Sequence, residues 1–233
     1  MTPLLETRGL SRSFGGLKAV SGVDFTLKPG EVRAIIGPNG AGKTTFASLI
    51  SGRITPDDGS IHLAGEDITH LPAFQRVRRG LAYTFQITSI FANLTVAENV
   101  ALAAHQDGGK RGLACLRRVG LADRAAQIAG TLAYGHQRLL EVAMGLALRP
   151  RLLILDEPTQ GLSDAEIANF VRLMQGLKRE TTVLLIEHNV PVVMQLAHRI
   201  TVMDRGGILA EGTPAKIRAN KDVQSAYLGT GDA

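Results

Sequence analysis

Residues 37 to 45 have the types and spacing of a phosphate-binding loop. They are Gly37, Pro38, Asn39, Gly40, Ala41, Gly42, Lys43, Thr44 and Thr45. Glycines let the backbone curl so that successive N–H groups point at one anion, and the following helix adds its positive end. In such a loop the lysine contacts the β- and γ-phosphates and the next hydroxyl binds Mg²⁺. We therefore expect Lys43 and Thr44 to bind a nucleotide and its metal ion, and Thr45 to donate on the α-phosphate side.

Two adjacent carboxylates, Asp156 and Glu157, follow an apolar run and precede Pro158. Carboxylates are costly inside a buried strand, so we expect the pair at its carboxyl end, where open α/β sheets bind ligands. The predicted roles are Mg²⁺ binding through its water shell for Asp156, and orientation and deprotonation of the attacking water for Glu157. A solvated acidic turn is the alternative. The loop and the pair do not specify the nucleotide, and a kinase, a motor and a switch stay open.

Apolar runs and helix-like stretches predict the elements that position these residues. Nearly continuous apolar runs are typical of strands covered on both faces of a parallel sheet. They are Val32 to Ile36, Leu152 to Leu155 and Val183 to Ile186. The stretches that alternate with them predict helices over Lys43 to Ile50, Ala165 to Leu177 and Pro191 to Ala197. This alternation indicates βα units and an α/β core.

The segments outside this core have other patterns. Short strands of an antiparallel edge are predicted over Glu6 to Arg8, Asp24 to Leu27 and Ser60 to Leu63. Residues 87 to 145 predict a helical subdomain, with helices over Val96 to His105 and Gly112 to Val119. Gly108, Gly109 and Gly112 suggest a loose connection inside it. The expected division of the single domain is a core of residues 1–86 and 146–233 with the subdomain 87–145 inserted.

Composition narrows the classes of protein. The net charge of +5 suits a phosphate-bearing ligand, a nucleic acid or an anionic membrane. Aromatic residues make up only 4% of the chain and Trp is absent, which disfavours a base-stacking surface for single-stranded nucleic acid. Binding to a duplex backbone stays open, although no nucleic acid is expected as a partner. The lone Cys115 permits no intrachain disulfide and is expected to be a small apolar residue. No signal peptide and no membrane span are expected, so any membrane role is predicted to be peripheral.

The chain resembles the ABC ATPase family at further motifs. Gln86 matches the family's Q-loop glutamine, which contacts Mg²⁺ and water, and His188 matches its switch histidine, which touches the γ-phosphate. Phe14 resembles the aromatic residue that stacks on adenine, although a core role fits it equally well. The resemblance implies ATP as the nucleotide and a P-loop NTPase fold of the RecA type. The family's signature motif, which contacts nucleotide, matches Leu132, Ala133, Tyr134, Gly135, His136 and Gln137.

Departures from the common family pattern point to a subgroup. Ala133 replaces a serine, Tyr134 and His136 replace a glycine and a glutamine, and Ser163 stands where the D-loop usually has aspartate. The lost serine hydroxyl removes one expected γ-phosphate hydrogen bond, about 0.5 to 1.5 kcal/mol net. Together with the segments 14–20 and 226–229, these residues resemble ATP-binding subunits of branched-chain amino acid importers, of the G type rather than the F type.

The resemblance also implies partners. Two such subunits sandwich two ATP molecules, so this chain is expected to act as a homodimer or with a paralogous second ATP-binding subunit. Transmembrane permease subunits, and indirectly a periplasmic solute-binding protein, would place it peripherally on the cytoplasmic face of the inner membrane. Residues 87 to 91 are expected near the permease docking groove. Urea or amide importers, lipopolysaccharide-type exporters, soluble ABC proteins acting on nucleic acid, and a kinase or motor outside the family are the alternatives.

Overall fold

A six-stranded sheet of order β10-β9-β3-β8-β7-β6 forms the centre of the computed structural model, which describes residues 2–84, 89–104, 108–177 and 180–228. Every paired neighbour in it is parallel except β9 and β10. Residues of β3, β7 and β8 are buried throughout, as their continuous apolar runs predict. The strands are β3 (Val32–Ile36), β6 (Leu81–Thr84), β7 (Leu152–Asp156), β8 (Thr182–Ile186), β9 (Arg199–Asp204) and β10 (Gly207–Gly212).

A second, antiparallel sheet of order β2-β1-β4-β5 lies at the N-terminal end of the chain. Its strands are β1 (Leu5–Phe14), β2 (Leu17–Leu27), β4 (Asp58–Leu63) and β5 (Glu66–Asp67). The predicted antiparallel edge is confirmed, and its strands are longer than the sequence indicated. Gly15 and Gly16, with φ of 52° and 87°, form the two-residue turn between β1 and β2. Two positive φ angles in succession suit a hairpin turn that matches strand twist, which explains the glycine pair.

Helices cover both faces of the central sheet. They are α1 (Lys43–Ser51), α2 (Ala73–Arg78), α3 (Val96–Ala104), α4 (Gly108–Arg118), α5 (Tyr134–Ala147), α6 (Asp164–Leu177), α7 (Val190–Leu196), α8 (Pro214–Arg218) and α9 (Lys221–Leu228). On one face, Leu153 and Leu155 of β7 pack in one apolar cluster with residues of α3 to α6; on the other, Ile154 shares a cluster with α1 and the antiparallel sheet. Alternate residues of one strand thus bury against two different layers. No helix in the described ranges is long and apolar enough to cross a bilayer.

The prediction of a loose connection at Gly108, Gly109 and Gly112 was wrong, because all three lie in α4. Glycine disfavours helices by about 1 kcal/mol relative to alanine, but tertiary packing overrides that preference here. A Cβ placed on Gly112 would lie 3.5 Å from Cγ1 of Val100 in α3. This is an ordinary van der Waals distance, so α3 packs directly against this part of α4 and an alanine would also fit there.

Arg76 of α2 is fully buried and holds the end of α1 in place. Its Nη1 donates to the carbonyl oxygens of Leu49 and Ile50, each at 2.7 Å. Its Nε and Nη2 donate to the carbonyl oxygens of Leu71 and Thr69 at 2.8 and 2.9 Å. The last carbonyls of a helix lack partners inside it, so this guanidinium adds donors to them beside the N–H of Gly52, which also bonds the Leu49 carbonyl at 3.2 Å.

Candidate nucleotide site

The loop between β3 and α1 curls against β9 and β2, and its glycines are required by that contact. A Cβ on Gly37 would lie 2.1 Å from the carbonyl oxygen of Met203, and one on Gly42 would lie 2.2 Å from that of Ala19. Gly42 also has a φ of 96°, in the left-handed region. Any larger residue at either position would displace the backbone of a neighbouring strand. The predicted loop therefore packs tightly against neighbouring strands where β3 ends.

Lys43, the first residue of α1, folds back over this loop. Its Nζ donates to the carbonyl oxygens of Gly37 at 2.8 Å and Pro38 at 2.9 Å. Burial lowers the pKa of its ammonium group, while the negative charges of Glu157 and Asp156 act in the opposite direction. The charged head thus stands between the loop and the two carboxylates, where a phosphate can replace backbone oxygens as its partner.

A cavity of about 700 Å³ opens above the loop. The predicted residues that line it are Phe14, Asn39, Gly40, Ala41, Gly42, Lys43, Thr44, Thr45, Glu157 and His188. Four lining residues were not predicted from the sequence: Leu17, Lys18, Ala19 and Arg205. Lys18 and Ala19 belong to β2, and Arg205 lies in the β9–β10 turn. Three of them fall in the segment 14–20 that resembles the subgroup, but that motif did not assign them to the nucleotide. The packing of β2 and of that turn against the loop brings all four residues to the cavity.

Phe14 lies at the edge of this cavity rather than in the core. Phe14 is 45% exposed, and the guanidinium carbon of Arg12 lies over its ring, 4.9 Å from the ring centroid. Arg12 is itself held by Asp57, 2.6 Å from its Nη1. The core alternative for Phe14 is therefore wrong, and an exposed aromatic face beside a phosphate loop suits stacking on a base.

Asp156, the last residue of β7, is completely buried beneath the cavity. Its Oδ2 accepts a hydrogen bond of 2.7 Å from the hydroxyl of Tyr83. Its Oδ1 accepts none from any residue in the described ranges. Burial raises the pKa of this carboxyl. A buried carboxylate oxygen that accepts no hydrogen bond from the described residues fits Mg²⁺, which prefers hard oxygen ligands, and the Thr44 hydroxyl in the cavity wall is of the same chemical kind.

Glu157 and His188 meet at the mouth of the cavity. Oε1 of Glu157 lies 2.9 Å from Nε2 of His188. Glu157 adopts a left-handed backbone conformation, with φ of 50°, and its N–H donates to the carbonyl oxygen of Ile186 at 2.9 Å. A non-glycine residue in this region is strained and needs support from its surroundings. The structure thus brings together two side chains that the sequence assigned to the same crevice.

Glu187, to which the sequence assigned no role, links the loop after β7 to the loop after β8 by hydrogen bonds. Its Oε1 accepts hydrogen bonds from the N–H of Thr159, at 2.9 Å, and from the Thr159 hydroxyl. Its Oε2 accepts from the N–H groups of His188 and Asn189 at 2.9 and 3.0 Å. The signal that could have marked it is position, because Glu187 follows buried β8 as Glu157 follows buried β7.

Gln86 lies outside the described residues. β6 ends at Thr84, which pairs with Leu155 in β7, one residue before Asp156. Thr84, two positions before Gln86, therefore lies near the buried carboxylate at the carboxyl end of the sheet.

The signature segment starts α5 and packs on the D-loop of the same chain. Ala133 is the N-cap residue of α5 and supplies no side-chain hydrogen bond there. A Cβ on Gly135 would lie 2.8 Å from Cδ2 of Leu162, and one on Gly161 would lie 2.7 Å from the ring of Tyr134. Residues 133 to 136, His136 among them, do not line the cavity as far as the structure describes it. A helix N-terminus that stands apart from its own chain's nucleotide site is available to a second subunit.

Ser163 has a structural explanation for its departure from the family pattern. Its hydroxyl and N–H donate to Oε2 of Glu166 at 2.7 and 2.8 Å, and the N–H of Glu166 donates back to the Ser163 hydroxyl at 3.4 Å. This reciprocal arrangement is a capping box, which satisfies free N–H groups at the start of α6. The hydrogen bonds with Ser163 also lower the pKa of the Glu166 carboxyl.

Comparison with known proteins identifies the family of the chain. A family model described as "ABC transporter" matches residues 20–160, and one described as "Branched-chain amino acid ATP-binding cassette transporter" matches residues 208–233. The chain is 41% identical to the "High-affinity branched-chain amino acid transport ATP-binding protein BraF" of Pseudomonas aeruginosa, across 97% of this chain and 98% of that protein. It is 40% identical, with the same coverage, to the protein LivG of Escherichia coli K12, which has the same description.

Solved structures share the fold. The ADP conformation of MJ1267, an ATP-binding cassette of an ABC transporter, matches with a TM-score of 0.89 and 26% identity, over 98% of this chain and 100% of that one. The bacterial ABC transporter cassette MJ0796, at 24% identity, matches with a TM-score of 0.83 over 90% of this chain and 98% of that one, and shows the fold alone. The phosphate loop, the carboxylates at the carboxyl end of β7 and the matched family model lead to one conclusion: the chain belongs to the family of nucleotide-binding ATPase subunits of ABC transporters.

Proposed function

We propose that this chain hydrolyses ATP to energise an importer of branched-chain or related hydrophobic amino acids. The ATPase activity follows from its family, and the solute follows from its relatives. BraF and LivG are described as branched-chain amino acid transport proteins over nearly their whole length. A model of that same subgroup matches residues 208–233, which include α8, α9 and β10 without its first residue. The observation that carries the catalytic part is the pairing of Glu157 with His188 above the Lys43 loop.

We assign the binding of ATP to the loop and its lysine. Backbone N–H groups of residues 39 to 42 would hold the phosphates, and Lys43 would exchange its carbonyl partners for β- and γ-phosphate oxygens. Thr45 would donate on the α-phosphate side, and Phe14 would stack on the adenine. Because the Lys43 contacts come from its own loop, the ammonium group is already positioned before nucleotide arrives.

We assign Mg²⁺ to Thr44 and Asp156, with Gln86 as a further ligand. When bound, Mg²⁺ neutralises charge on the β- and γ-phosphates. Tyr83 orients the Asp156 carboxylate through Oδ2, so Oδ1 would be the oxygen that takes part in holding the ion. A hydrogen bond to one oxygen of a metal-binding carboxylate fixes the direction of the other.

Glu157 is the general base in this proposal. Its carboxylate orients the attacking water and accepts its proton, while His188 contacts the γ-phosphate and holds the carboxylate in place. Gln86 would contact the same water. A base within hydrogen-bond distance of its positioning partner is the arrangement that such proton transfer needs.

The proposed partners follow from where the remaining motifs lie. The signature residues at the start of α5, from Ala133 to His136, would close on ATP held by a second ATP-binding subunit, either a copy of this chain or a paralogue. Permease subunits would dock beside residues 87 to 91, in the helical subdomain 87–145. Such a complex places the chain peripherally on the cytoplasmic face of the inner membrane, with a periplasmic protein delivering the solute.

Transport by the reconstituted complex tests the proposed function. The chain, its genomically neighbouring permeases and binding protein would be placed in liposomes, and uptake of radiolabelled leucine would be compared with uptake of labelled urea. ATP-dependent leucine uptake is expected, and it should stop with Glu157→Gln. Urea uptake without leucine uptake, or stimulation of ATP hydrolysis by nucleic acid instead of permease, would contradict the proposal.

A further inference from the structure

Glu187 makes hydrogen bonds to the loop after β7 (residues 157–163) and to the loop after β8 (residues 187–189), although it does not line the nucleotide cavity. The residue is 3% exposed at the carboxyl end of β8. One carboxylate oxygen accepts from the N–H and hydroxyl of Thr159, and the other from the N–H groups of His188 and Asn189. This buried carboxylate therefore accepts four hydrogen bonds, two on each oxygen. Three of the donors are backbone groups, so the contact fixes main-chain positions.

The geometry explains what this contact would control. Thr159 follows Glu157 by two residues, and His188 follows Glu187 directly. Glu157 has a strained φ of 50°, and among the described backbone contacts it is tied to β8 by its N–H bond to Ile186. The Glu187 carboxylate provides a second tie on the far side of the strained residue. Two ties that flank Glu157 restrict how far its side chain can move from His188.

We propose that Glu187 is a positioning residue for ATP hydrolysis, which sets the separation of the Glu157 carboxylate and the His188 imidazole. The inference rests on the proposed function, because it assigns Glu187 to the same reaction. It acts through the backbone of two loops and does not touch the nucleotide. Misplacing a catalytic group by about 1 Å is sufficient to lower a rate by roughly 100-fold, so a residue of this kind affects turnover more than binding.

Glu187→Gln tests this role with little change of shape. An amide offers one oxygen where the carboxylate offers two, so its NH₂ group must face either the Thr159 donors or the backbone donors of residues 188 and 189. The turnover number is expected to fall about 10- to 100-fold, while KM and the ATP dissociation constant stay within about twofold. Thr159→Val, which removes only the hydroxyl donor, should give a smaller fall in the same direction. Glu187→Asp, which keeps the charge but shortens the reach, should recover part of the rate.

A double-mutant cycle separates positioning from a general effect on folding. If Glu187 acts through His188, then adding Glu187→Gln to His188→Ala should lower the turnover number by less than about twofold further. Glu31→Gln is the matched control, because Glu31 is also a buried carboxylate but precedes β3, at the opposite end of the sheet. It should leave the turnover number unchanged.

Two outcomes would overturn the proposal. One is a loss of ATP affinity equal to the loss of turnover in Glu187→Gln, and the other is full additivity with His188→Ala. Wild-type protein that binds ATP but shows no hydrolysis with its partners would instead contradict the proposed function itself. The two failures are therefore distinguishable.

Discussion

Nε2 of His188 lies 2.9 Å from Oε1 of Glu157, and the two side chains follow neighbouring strands of the central sheet. The register of β7 and β8 pairs Asp156 with Ile186, so the two strands end at the same level of the sheet. The glutamate is nearly covered, with 12% of its side chain exposed, while 40% of the histidine side chain is exposed. A shielded base with a more accessible partner is suited to act on a water beside a phosphate chain.

Glu157→Gln should abolish hydrolysis and preserve ATP binding. Glutamine cannot accept the proton of the attacking water, but it retains the size and much of the hydrogen bonding of glutamate. General bases contribute about 10² to 10⁴ in rate, so turnover should fall by that order. Steady-state phosphate release and fluorescent-nucleotide binding measure the two effects, and light scattering with ATP should detect closed dimers. Unchanged turnover would remove Glu157 from the catalytic step.

Lys43→Ala should weaken nucleotide binding itself. The substitution removes the ammonium group that faces the loop carbonyls and the two carboxylates. Loss of a charge-assisted contact of about 1.5 to 3 kcal/mol corresponds to a roughly 10- to 100-fold higher dissociation constant. Equilibrium binding of a fluorescent ATP analogue measures it. Lys28→Ala, at an exposed position before β3, is the control, and wild-type affinity in Lys43→Ala would contradict the assignment of the phosphate cradle.

Asp156→Asn should stabilise the nucleotide-free protein while it abolishes Mg²⁺-dependent hydrolysis. Burial raises the pKa of Asp156, so the ionised carboxylate is less favourable in the folded than in the unfolded chain. Above the folded pKa the wild type bears this penalty and the variant does not. Below the ordinary aspartate pKa the carboxyl is protonated in both states, and the difference should vanish. Thermal unfolding in EDTA from pH 8 to pH 3 measures this, and a variant less stable than wild type at pH 8 would refute it.

Arg76→Met should destabilise the fold without acting on chemistry. The substitution removes four hydrogen bonds to carbonyl oxygens, and the carbonyl oxygens at the end of α1 stay buried without these donors. Although burial lowers the pKa of this guanidinium to about 10, it stays charged at neutral pH. We expect the free energy of unfolding in urea to fall by about 3 kcal/mol. Arg78→Met on the exposed face of α2 should change it by less than about 0.5 kcal/mol, and equal effects would contradict this role.

Gly161→Ala should displace the signature segment. The new Cβ would lie 2.7 Å from the Tyr134 ring, and the φ of 76° disfavours alanine. We expect a loss of about 1 to 3 kcal/mol in stability, together with lower ATP hydrolysis by the assembled dimer. Gly176→Ala in α6 is the control, since its Cβ meets no atom within 4 Å and alanine favours a helix. Hydrolysis equal to wild type in Gly161→Ala would show that the contact has no role in activity.

The part of the fold that the sequence predicted correctly consists of elements with strong local patterns. The runs at Val32, Leu152 and Val183 are continuous because both faces are covered, and each became a strand of the central sheet. β6, β9 and β10 were not predicted, because their patterns are weaker and their pairing depends on distant parts of the chain. α4 was predicted to begin too late for a related reason, since packing against α3 overrides its glycines.

The residues of the site that lie in one consecutive motif could be predicted from the sequence. The residues that tertiary packing brings to the site could not. Residues 39 to 45 are consecutive, so their spacing identified them. Arg205 and Lys18 reach the same cavity from separate strands and turns. Glu187 lies next to the predicted His188, yet two of its four hydrogen bonds come from Thr159, in a loop that is distant in sequence. The buried Arg76 carries no local signal, because arginine in a short helix is typical of an exposed face.

Calorimetric titration of the folded protein with ATP and Mg²⁺ measures nucleotide binding at the Lys43 loop. We expect a saturable heat of association with one nucleotide per chain, which depends on Mg²⁺ in the wild type and is strongly reduced in Lys43→Ala. Absence of any heat of association on protein shown to be folded by circular dichroism would contradict the assignment of the Lys43 loop and the carboxylates of Asp156 and Glu157 to ATP.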